Sequence, residues 1–355
     1  MLPVWRKDWE NSTLALYKMT EKRIPRRPHV FGGFSRSIVA VLHNDSPDQV
    51  RSLKREQNGL HHPIHSSHQF PFLALVMDHQ SKPVAPTPDI LLEEVPPLYG
   101  GRRAALSLNI VVVGAGIGGL AAAHTLAQAR HRVTLLESAR VLGDVGAGIQ
   151  VSPNATRLLL RWGLGPALRA YGVEPTAISI RRYDTGERVG YHSCIPYMVR
   201  DHGAPNYQVH RADYHAMLHR LACTAPGVRI CLGSAVKDVQ PDPAVVGGPS
   251  VTLASGEVLY ADLVVGADGL KSTLQKIVTS LDDMPEPTGD AAYRAVISTD
   301  LMLEDPELRP FVERPEATVW MAPYRHLVGY CIVSMTARAF FFFRNVRSES
   351  VWNLF

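Results

Sequence analysis

The chain is poor in cysteine and has no long hydrophobic run, and both absences exclude classes of protein. Its four cysteines form no Cys-x-x-Cys pair and no zinc-type spacing, which disfavours a disulfide framework and a metal site. No apolar stretch reaches the length of about 20 residues that a membrane-spanning helix needs; the run 70–77, for example, has eight residues and contains Pro71. Residues 1–20 carry Asp8 and Glu10 and lack the apolar core of a signal peptide. We therefore expect free thiols, no membrane span and a cytoplasmic location.

A surplus of one charge sign is also absent from most of the chain. The formal net charge of +4 comes from residues 1–103, which hold 14 Lys and Arg against 10 Asp and Glu. The remaining residues hold 23 of each sign, so no basic surface for nucleic acid is expected there. An apolar content of 46% is enough for a sizeable core.

Residues 1–105 lack the periodicity of a folded domain. They contain 11 of the 26 prolines and seven of the 15 histidines, with no sustained repeat of 2 or 3.6 residues. We predict a disordered leader here, with a small independent domain as the alternative. The folded domain is predicted to span residues 106–335, and residues 336–355 are predicted to be a divergent tail.

The most informative segment that is present joins a strand to a helix through glycines. The apolar residues 110–113 predict a buried parallel strand, and a helical pattern follows over 118–129. Between them, Gly114, Gly116 and Gly119 form a Gly-x-Gly-x-x-Gly turn. Such glycines allow a tight turn, close approach to a pyrophosphate and close packing of the helix on the strand. The N-terminus of the helix then directs N–H groups and a partial positive charge at the phosphates.

A second strand and an acidic residue follow at the spacing of a dinucleotide site. Residues 132–138 predict the strand, and Glu137 lies 18 residues after Gly119. A carboxylate at this point can accept hydrogen bonds from the ribose hydroxyls of an adenosine. Strand, turn, helix and acid together predict a dinucleotide-binding site on a Rossmann-like α/β fold.

The later elements predict a second sheet inserted into that fold. Helices are expected over 153–162, with Ser152 as the N-cap, and over 213–223. Further strands are expected at 178–183, 188–193, 229–232, 250–254, 258–260, 262–266, 293–298 and 317–321. We expect the segments 173–205 and 285–335 to build a mixed β-sheet that forms a substrate domain.

Four motifs together resemble those of the FAD-dependent aromatic hydroxylases, and in particular their fungal salicylate-hydroxylase-like branch. They are Val113-Gly-Ala-Gly-Ile-Gly-Gly-Leu120, Val145-Gly-Ala-Gly-Ile-Gln150 with Ser152-Pro-Asn154, Val209-His-Arg-Ala-Asp213, and Gly266-Ala-Asp-Gly269 with Ser272. The resemblance covers about residues 108–330. It implies FAD as the cofactor and NAD(P)H as a transient co-substrate.

The resemblance also implies which residues contact FAD. Backbone at Gly146, Ala147 and Gly148 would pass close to the cofactor. Arg211 would place its guanidinium near the flavin and the pyrophosphate, with a surface salt bridge as the alternative. Asp268 would contact the ribitol and pyrophosphate region, with an ordinary Asp-Gly turn as the alternative. The full predicted cofactor set is Gly114, Gly116, Gly119, Glu137, Gly146, Ala147, Gly148, Arg211 and Asp268.

Two further residues are candidates for catalysis. Arg294, in Tyr293-Arg-Ala295, resembles the family's arginine beside the substrate. It would stabilise a phenolate or carboxylate by charge-assisted hydrogen bonds, each contributing about 1.5–3 kcal/mol. Tyr330 resembles a tyrosine that faces the active site from the next hairpin. The alternatives are an exposed strand arginine and a core tyrosine.

The implied reaction is monooxygenation of a small aromatic or phenolic molecule. NAD(P)H would reduce FAD, O2 would add at the flavin C4a, and the hydroperoxide would transfer oxygen to the ring. After Tyr330 we find no match to the family's third flavin segment, so the chain resembles a member without its C-terminal part, and we expect weaker FAD binding. An inactive FAD-fold fragment, an epoxidase of polyketide or terpenoid metabolism, and a plain NAD dehydrogenase are the alternatives.

Overall fold

The computed structural model describes residues 41–42, 90–143, 147–242, 248–281, 290–333 and 338–347. The strands are β1 (Val41–Leu42), β2 (Asn109–Val113), β3 (Arg132–Leu136), β4 (Gly148–Val151), β5 (Gly172–Val173), β6 (Ala177–Arg182), β7 (Arg188–Ser193), β8 (Tyr207–His210), β9 (Val228–Cys231), β10 (Val236–Gln240), β11 (Ser250–Leu253), β12 (Val258–Tyr260), β13 (Leu263–Gly266), β14 (Asp290–Ser298), β15 (Ala317–Ala322), β16 (Arg325–Val333) and β17 (Arg338–Arg347). The helices are α1 (Ile117–Gln128), α2 (Pro153–Arg161), α3 (Gly165–Tyr171), α4 (Tyr197–His202), α5 (Arg211–Thr224), α6 (Leu274–Thr279), α7 (Thr299–Leu303) and α8 (Arg309–Glu313).

A four-stranded parallel sheet forms the centre of the nucleotide-binding domain. Its strand order is β13-β2-β3-β9, with every pair parallel. Ile110 and Val112 point to one face, where α1 and α5 cover them, and Val111 and Val113 point to the other, where β11 covers them. A parallel strand that is buried on both faces consists of consecutive apolar residues. For this reason the sequence alone predicts this strand.

A seven-stranded mixed sheet forms the second layer. Its order is β1-β14-β17-β16-β15-β6-β7, and only β15 and β6 run parallel among its paired strands. The strands come from separate parts of the chain, on either side of the strands that complete the nucleotide-binding domain. The predicted class, a Rossmann-like α/β domain with an inserted mixed sheet, is confirmed. Among the described residues, no helix is both long enough and apolar enough to cross a membrane.

A small antiparallel sheet, in the order β4-β8-β5, connects these two layers. Tyr207 and Val209 of β8 pack into the main core beneath α5. Gly148 of β4 lies against the ring carbons of Tyr330 and Phe341, which belong to the seven-stranded sheet. The small sheet therefore fixes the position of the second layer on the nucleotide-binding domain.

The predicted divergent tail over 336–355 is corrected by the structure. Residues 338–347 form β17, which pairs with β14 on one side and β16 on the other. Neighbouring residues of a strand point to opposite faces, so Phe340 packs with Cys331 beneath α7 and α8, while Phe341 packs with Tyr330. Two consecutive aromatic residues are thus buried on two faces of one sheet. Residues 348–355 lie outside the described part.

The predicted boundary of the leader at residue 105 is also wrong. Ile90 is 3% exposed and joins the main core. The N–H of Glu93 donates to the carbonyl of Gly163 at 3.0 Å, and that of Ala104 donates to the carbonyl of Ala129 at 3.1 Å. Apolar burial and backbone pairing hold this segment, although it lacks any regular period. The leader residues 1–40 and 43–89 lie outside the described part of the chain.

The packing of Ile90 can be tested by truncating its side chain. We expect Ile90→Ala to lower the free energy of unfolding by about 2–4 kcal/mol, because it removes buried methyl groups and leaves a cavity. The matched control is Leu91→Ala, since Leu91 is 68% exposed and should change stability by less than about 0.5 kcal/mol. Urea unfolding measures both variants. Equal effects would show that residues 90–105 do not pack as described.

Candidate functional site

The glycine turn between β2 and α1 is shaped for close approach of backbone. Gly114 has a φ of +99°, and a Cβ there would collide with the carbonyl of Ala267. A Cβ at Gly119 would collide with the carbonyl of Gly114. At Gly116, in contrast, a Cβ would meet no atom within 4 Å. Two of the predicted glycines are therefore required by packing, and the third faces open space where a phosphate group can approach.

The N-terminus of α1 opens onto the same turn. Gly116 is its N-cap residue, and among the described residues no side chain caps the first N–H groups. The first turn of an α-helix leaves N–H groups without partners inside the helix, and these favour an anion. A pyrophosphate fits this donor set, as the sequence predicts.

The carboxylate of Glu137 organises the turn from the end of β3. Its Oε2 accepts a hydrogen bond from the N–H of Ala115 at 2.9 Å, and its Oε1 accepts from the N–H of Ala139 at 2.8 Å and the hydroxyl of Ser138 at 3.0 Å. Burial alone would raise the pKa of Glu137, but these hydrogen bonds outweigh it and bring the pKa below its ordinary value. Glu137 is therefore ionised at neutral pH.

His215, which no sequence motif indicated, holds the next peptide group, on the other side of Ala115. Its Nε2 lies 2.8 Å from the carbonyl oxygen of Ala115, so this nitrogen donates to it. His215 is four residues after Arg211 on α5, and residues at this spacing share one helix face. The spacing is the only signal in the sequence, since the partner lies 100 residues away.

The second predicted loop also lies beside α5. Gly146 falls outside the described residues. The N–H of Arg211 donates to the carbonyl of Ala147 at 2.8 Å, and Gly148 pairs with His210 between β4 and β8. A Cβ at Gly148 would lie 2.7 Å from the Tyr330 ring. The structure thus brings Ala147, Gly148 and Arg211 together at the boundary with the seven-stranded sheet.

Asp268 lies in the turn after β13, next to the glycine turn. Its carboxylate accepts hydrogen bonds from the hydroxyl of Ser272 at 2.6 Å and from the N–H groups of Thr273 at 2.8 Å and Leu274 at 3.3 Å. Burial would raise the pKa of Asp268, but these bonds lower it overall. The charge therefore stabilises the start of α6, and direct contact with a cofactor stays a prediction.

Arg294 and Tyr330 lie on β14 and β16, the two strands that flank β17. Tyr330 is 4% exposed, and its ring centroid lies 5.1 Å from that of Phe341. Burial raises the pKa of Tyr330 well above its ordinary value, and the charge of Arg294 opposes this only in part. Tyr330 therefore stays a neutral phenol that can donate a hydrogen bond, with a cationic side chain near it.

Comparison with known proteins agrees with this arrangement. Residues 107–348 match the family model described as FAD binding domain. The FAD-dependent monooxygenase OpS4 of Beauveria bassiana is 38% identical over 232 residues, which are 63% of this chain and 52% of that protein. The 3-hydroxybenzoate 6-hydroxylase of Klebsiella oxytoca is 35% identical over 224 residues, 63% of this chain and 53% of that one.

A solved structure shows the same fold. Klebsiella pneumoniae HpxO complexed with FAD and uric acid aligns with a TM-score of 0.56 at 23% identity, over 68% of this chain and 56% of that one. The chain spans about half the length of the curated relatives it matches. The resemblance to FAD-dependent aromatic hydroxylases is confirmed, FAD is the cofactor of this domain, and the chain belongs to the FAD binding domain family.

Proposed function

We propose that this chain acts as an FAD-dependent monooxygenase that uses NAD(P)H and O2 to hydroxylate a small aromatic or phenolic molecule. The observation that carries the proposal is the position of Arg294 and Tyr330 on the sheet that meets Gly148 of the predicted flavin loop. The relatives' names support it, since one is a monooxygenase and another is a hydroxylase of 3-hydroxybenzoate, a phenol with a carboxylate.

The cofactor is proposed to lie along the ends of the parallel strands. Its pyrophosphate would meet the open space at Gly116 and the N-terminus of α1, and Glu137 would accept a hydrogen bond from a ribose hydroxyl. A carboxylate has about four acceptor positions, and Glu137 uses three for its own chain. Arg211, with the loop at Ala147, would contact the flavin side. FAD supplies the oxygen-activating chemistry when bound, with electrons from NAD(P)H.

The substrate side of the reaction is proposed to depend on two side chains. Arg294 would bind the phenolate or carboxylate of the substrate, because a guanidinium forms short, charge-assisted hydrogen bonds to such oxygens. Tyr330 would donate a hydrogen bond from its phenolic O–H to a substrate oxygen, because burial keeps the phenol neutral. The packed rings around Tyr330 would exclude water from the reacting centre.

A non-catalytic FAD-binding protein is the second candidate. One observation favours it, because the Asp268 carboxylate is engaged by three residues of its own chain. Oxidation of NAD(P)H that depends on an added phenolic substrate, with one oxygen atom from O2 appearing in the product, separates the two. A protein that binds stoichiometric FAD but shows no such turnover would contradict the monooxygenase proposal.

Removing the Glu137 carboxylate tests the cofactor site. We expect Glu137→Ala to weaken FAD binding by about 1.5–3 kcal/mol, because the ribose hydroxyls lose a charged acceptor, which corresponds to a dissociation constant higher by roughly 10- to 150-fold. Quenching of flavin fluorescence on titration of the apoprotein measures it. The control is Glu257→Ala, at the exposed turn between β11 and β12. Equal affinity in Glu137→Ala and the parent would remove Glu137 from the site.

Removing the Arg294 guanidinium tests the substrate site. We expect Arg294→Ala to reduce substrate-dependent NAD(P)H oxidation by roughly 10- to 100-fold, because a charge-assisted bond to the substrate is lost, while the bound flavin stays unchanged. Arg325→Ala is the matched control, since Arg325 is an exposed arginine on β16. A proportional loss of flavin, or no loss of rate, would contradict the assigned role.

A further inference from the structure

Three polar side chains at the start of β8 and along it each carry a buried atom without a hydrogen-bond partner. Within the described part of the chain, the atoms concerned are Asn206 Oδ1, His210 Nδ1 and both amide atoms of Gln208. Gln208 is fully buried, at 0% exposure. His210 Nδ1 lies 3.8 Å from Asp213 Oδ2, which is beyond hydrogen-bond distance. We call Asn206, Gln208 and His210 the β8 stripe.

The β8 stripe faces the seven-stranded sheet. Side chains alternate along a strand, and Tyr207 and Val209 pack into the main core, so the stripe occupies the opposite face. Gly148 is the partner of His210 across the ladder and therefore shares that face. A side chain at Gly148 would meet Tyr330 and Phe341. The stripe is thus directed to the side of the sheet that carries Tyr330.

Buried polar groups without partners lower the stability of the ligand-free protein. A buried amide that pairs with nothing loses its hydrogen bonds to water and gains none in return. Native proteins pair the great majority of their buried polar groups. The unpartnered amide of Gln208, with Asn206 and His210 on either side of it and the proposed substrate residues nearby, indicates a surface built to pair with a bound molecule.

We infer that the β8 stripe binds the substrate of the proposed reaction, and that this substrate is a planar ring with an N–H beside a C=O, a lactam edge. The amide of Gln208 offers one donor and one acceptor side by side, and a ligand edge with the complementary pair satisfies both at once. His210 lies about 6.7 Å along the strand from Gln208, and Asn206 directly precedes the strand on the other side, so both are near enough for ring substituents. The inference rests on the proposed function. A flavin ring has the same edge chemistry, so the test separates the two.

The first measurement uses the ligand-free protein. Gln208→Met replaces the amide by an apolar side chain of similar size, and we expect the melting temperature to rise by roughly 2–4 °C, because an unpaired buried amide is removed. Gln150→Met is the matched control. Gln150 is the ladder partner of Gln208 but is exposed, so its replacement should leave the melting temperature unchanged. A lower melting temperature in Gln208→Met would overturn the inference, since the amide would then have a structural partner.

The second measurement compares two ligands of the same shape. 2-Quinolone has a lactam edge, and 2-naphthol has a hydroxyl group only. We expect calorimetric titration of the full chain to show that Gln208→Met weakens the binding of 2-quinolone at least about tenfold and the binding of 2-naphthol less than about threefold. The affinity for FAD should be unchanged. No 2-quinolone binding by the parent, or equal weakening of both ligands, would overturn the inference.

The remaining outcomes separate this inference from the proposed function. If Gln208→Met weakens FAD binding by the same factor as 2-quinolone binding, the Gln208 amide contacts the cofactor, and the substrate assignment is overturned. If the parent binds 2-quinolone through Gln208 but never couples NAD(P)H oxidation to any phenolic or lactam substrate, the monooxygenase proposal fails and the binding surface stands.

Discussion

The backbone of Ala115 is held on both sides of its Cα, and the geometry of the cofactor site depends on this. Its N–H donates to Glu137 and its carbonyl accepts from His215. Both partners are held in turn by regular structure, one at the end of β3 and the other on α5. A glycine turn alone is flexible, because glycine has the widest backbone freedom. With two consecutive peptide groups held, one by a carboxylate and the next by an imidazole, the turn keeps its remaining N–H groups directed at one place.

The contact between Gly148 and Tyr330 connects this site to the second sheet. A residue without a side chain on β4 lets two aromatic rings of β16 and β17 approach the small sheet closely. The same face carries the unpaired polar atoms of β8. One boundary between the two sheets therefore holds a neutral phenol, a nearby arginine and unsatisfied amide groups. Apolar rings with a few polar recognition groups are the usual lining of a small-molecule site.

Much of the nucleotide-binding half could be predicted from the sequence because its signals are local. The strand over 110–113, the glycine turn and the following helix each have their own pattern. His215 could not be found in this way, because its partner is distant in the chain. β17 was missed because a run of phenylalanines has no alternation of polar and apolar residues. Ile90 was missed because its burial belongs to an irregular segment rather than to a helix or strand.

We propose that the turn around Ala115 holds FAD together with α5 and the turn at Asp268. Hydrogen–deuterium exchange of the full chain, with and without saturating FAD, tests it most directly, because exchange reports protection segment by segment. The account predicts slower exchange over residues 114–120, 211–215 and 267–274 when FAD binds, with β15 unchanged. Saturable FAD binding that protects other segments, and leaves residues 114–120 as they were, would contradict it.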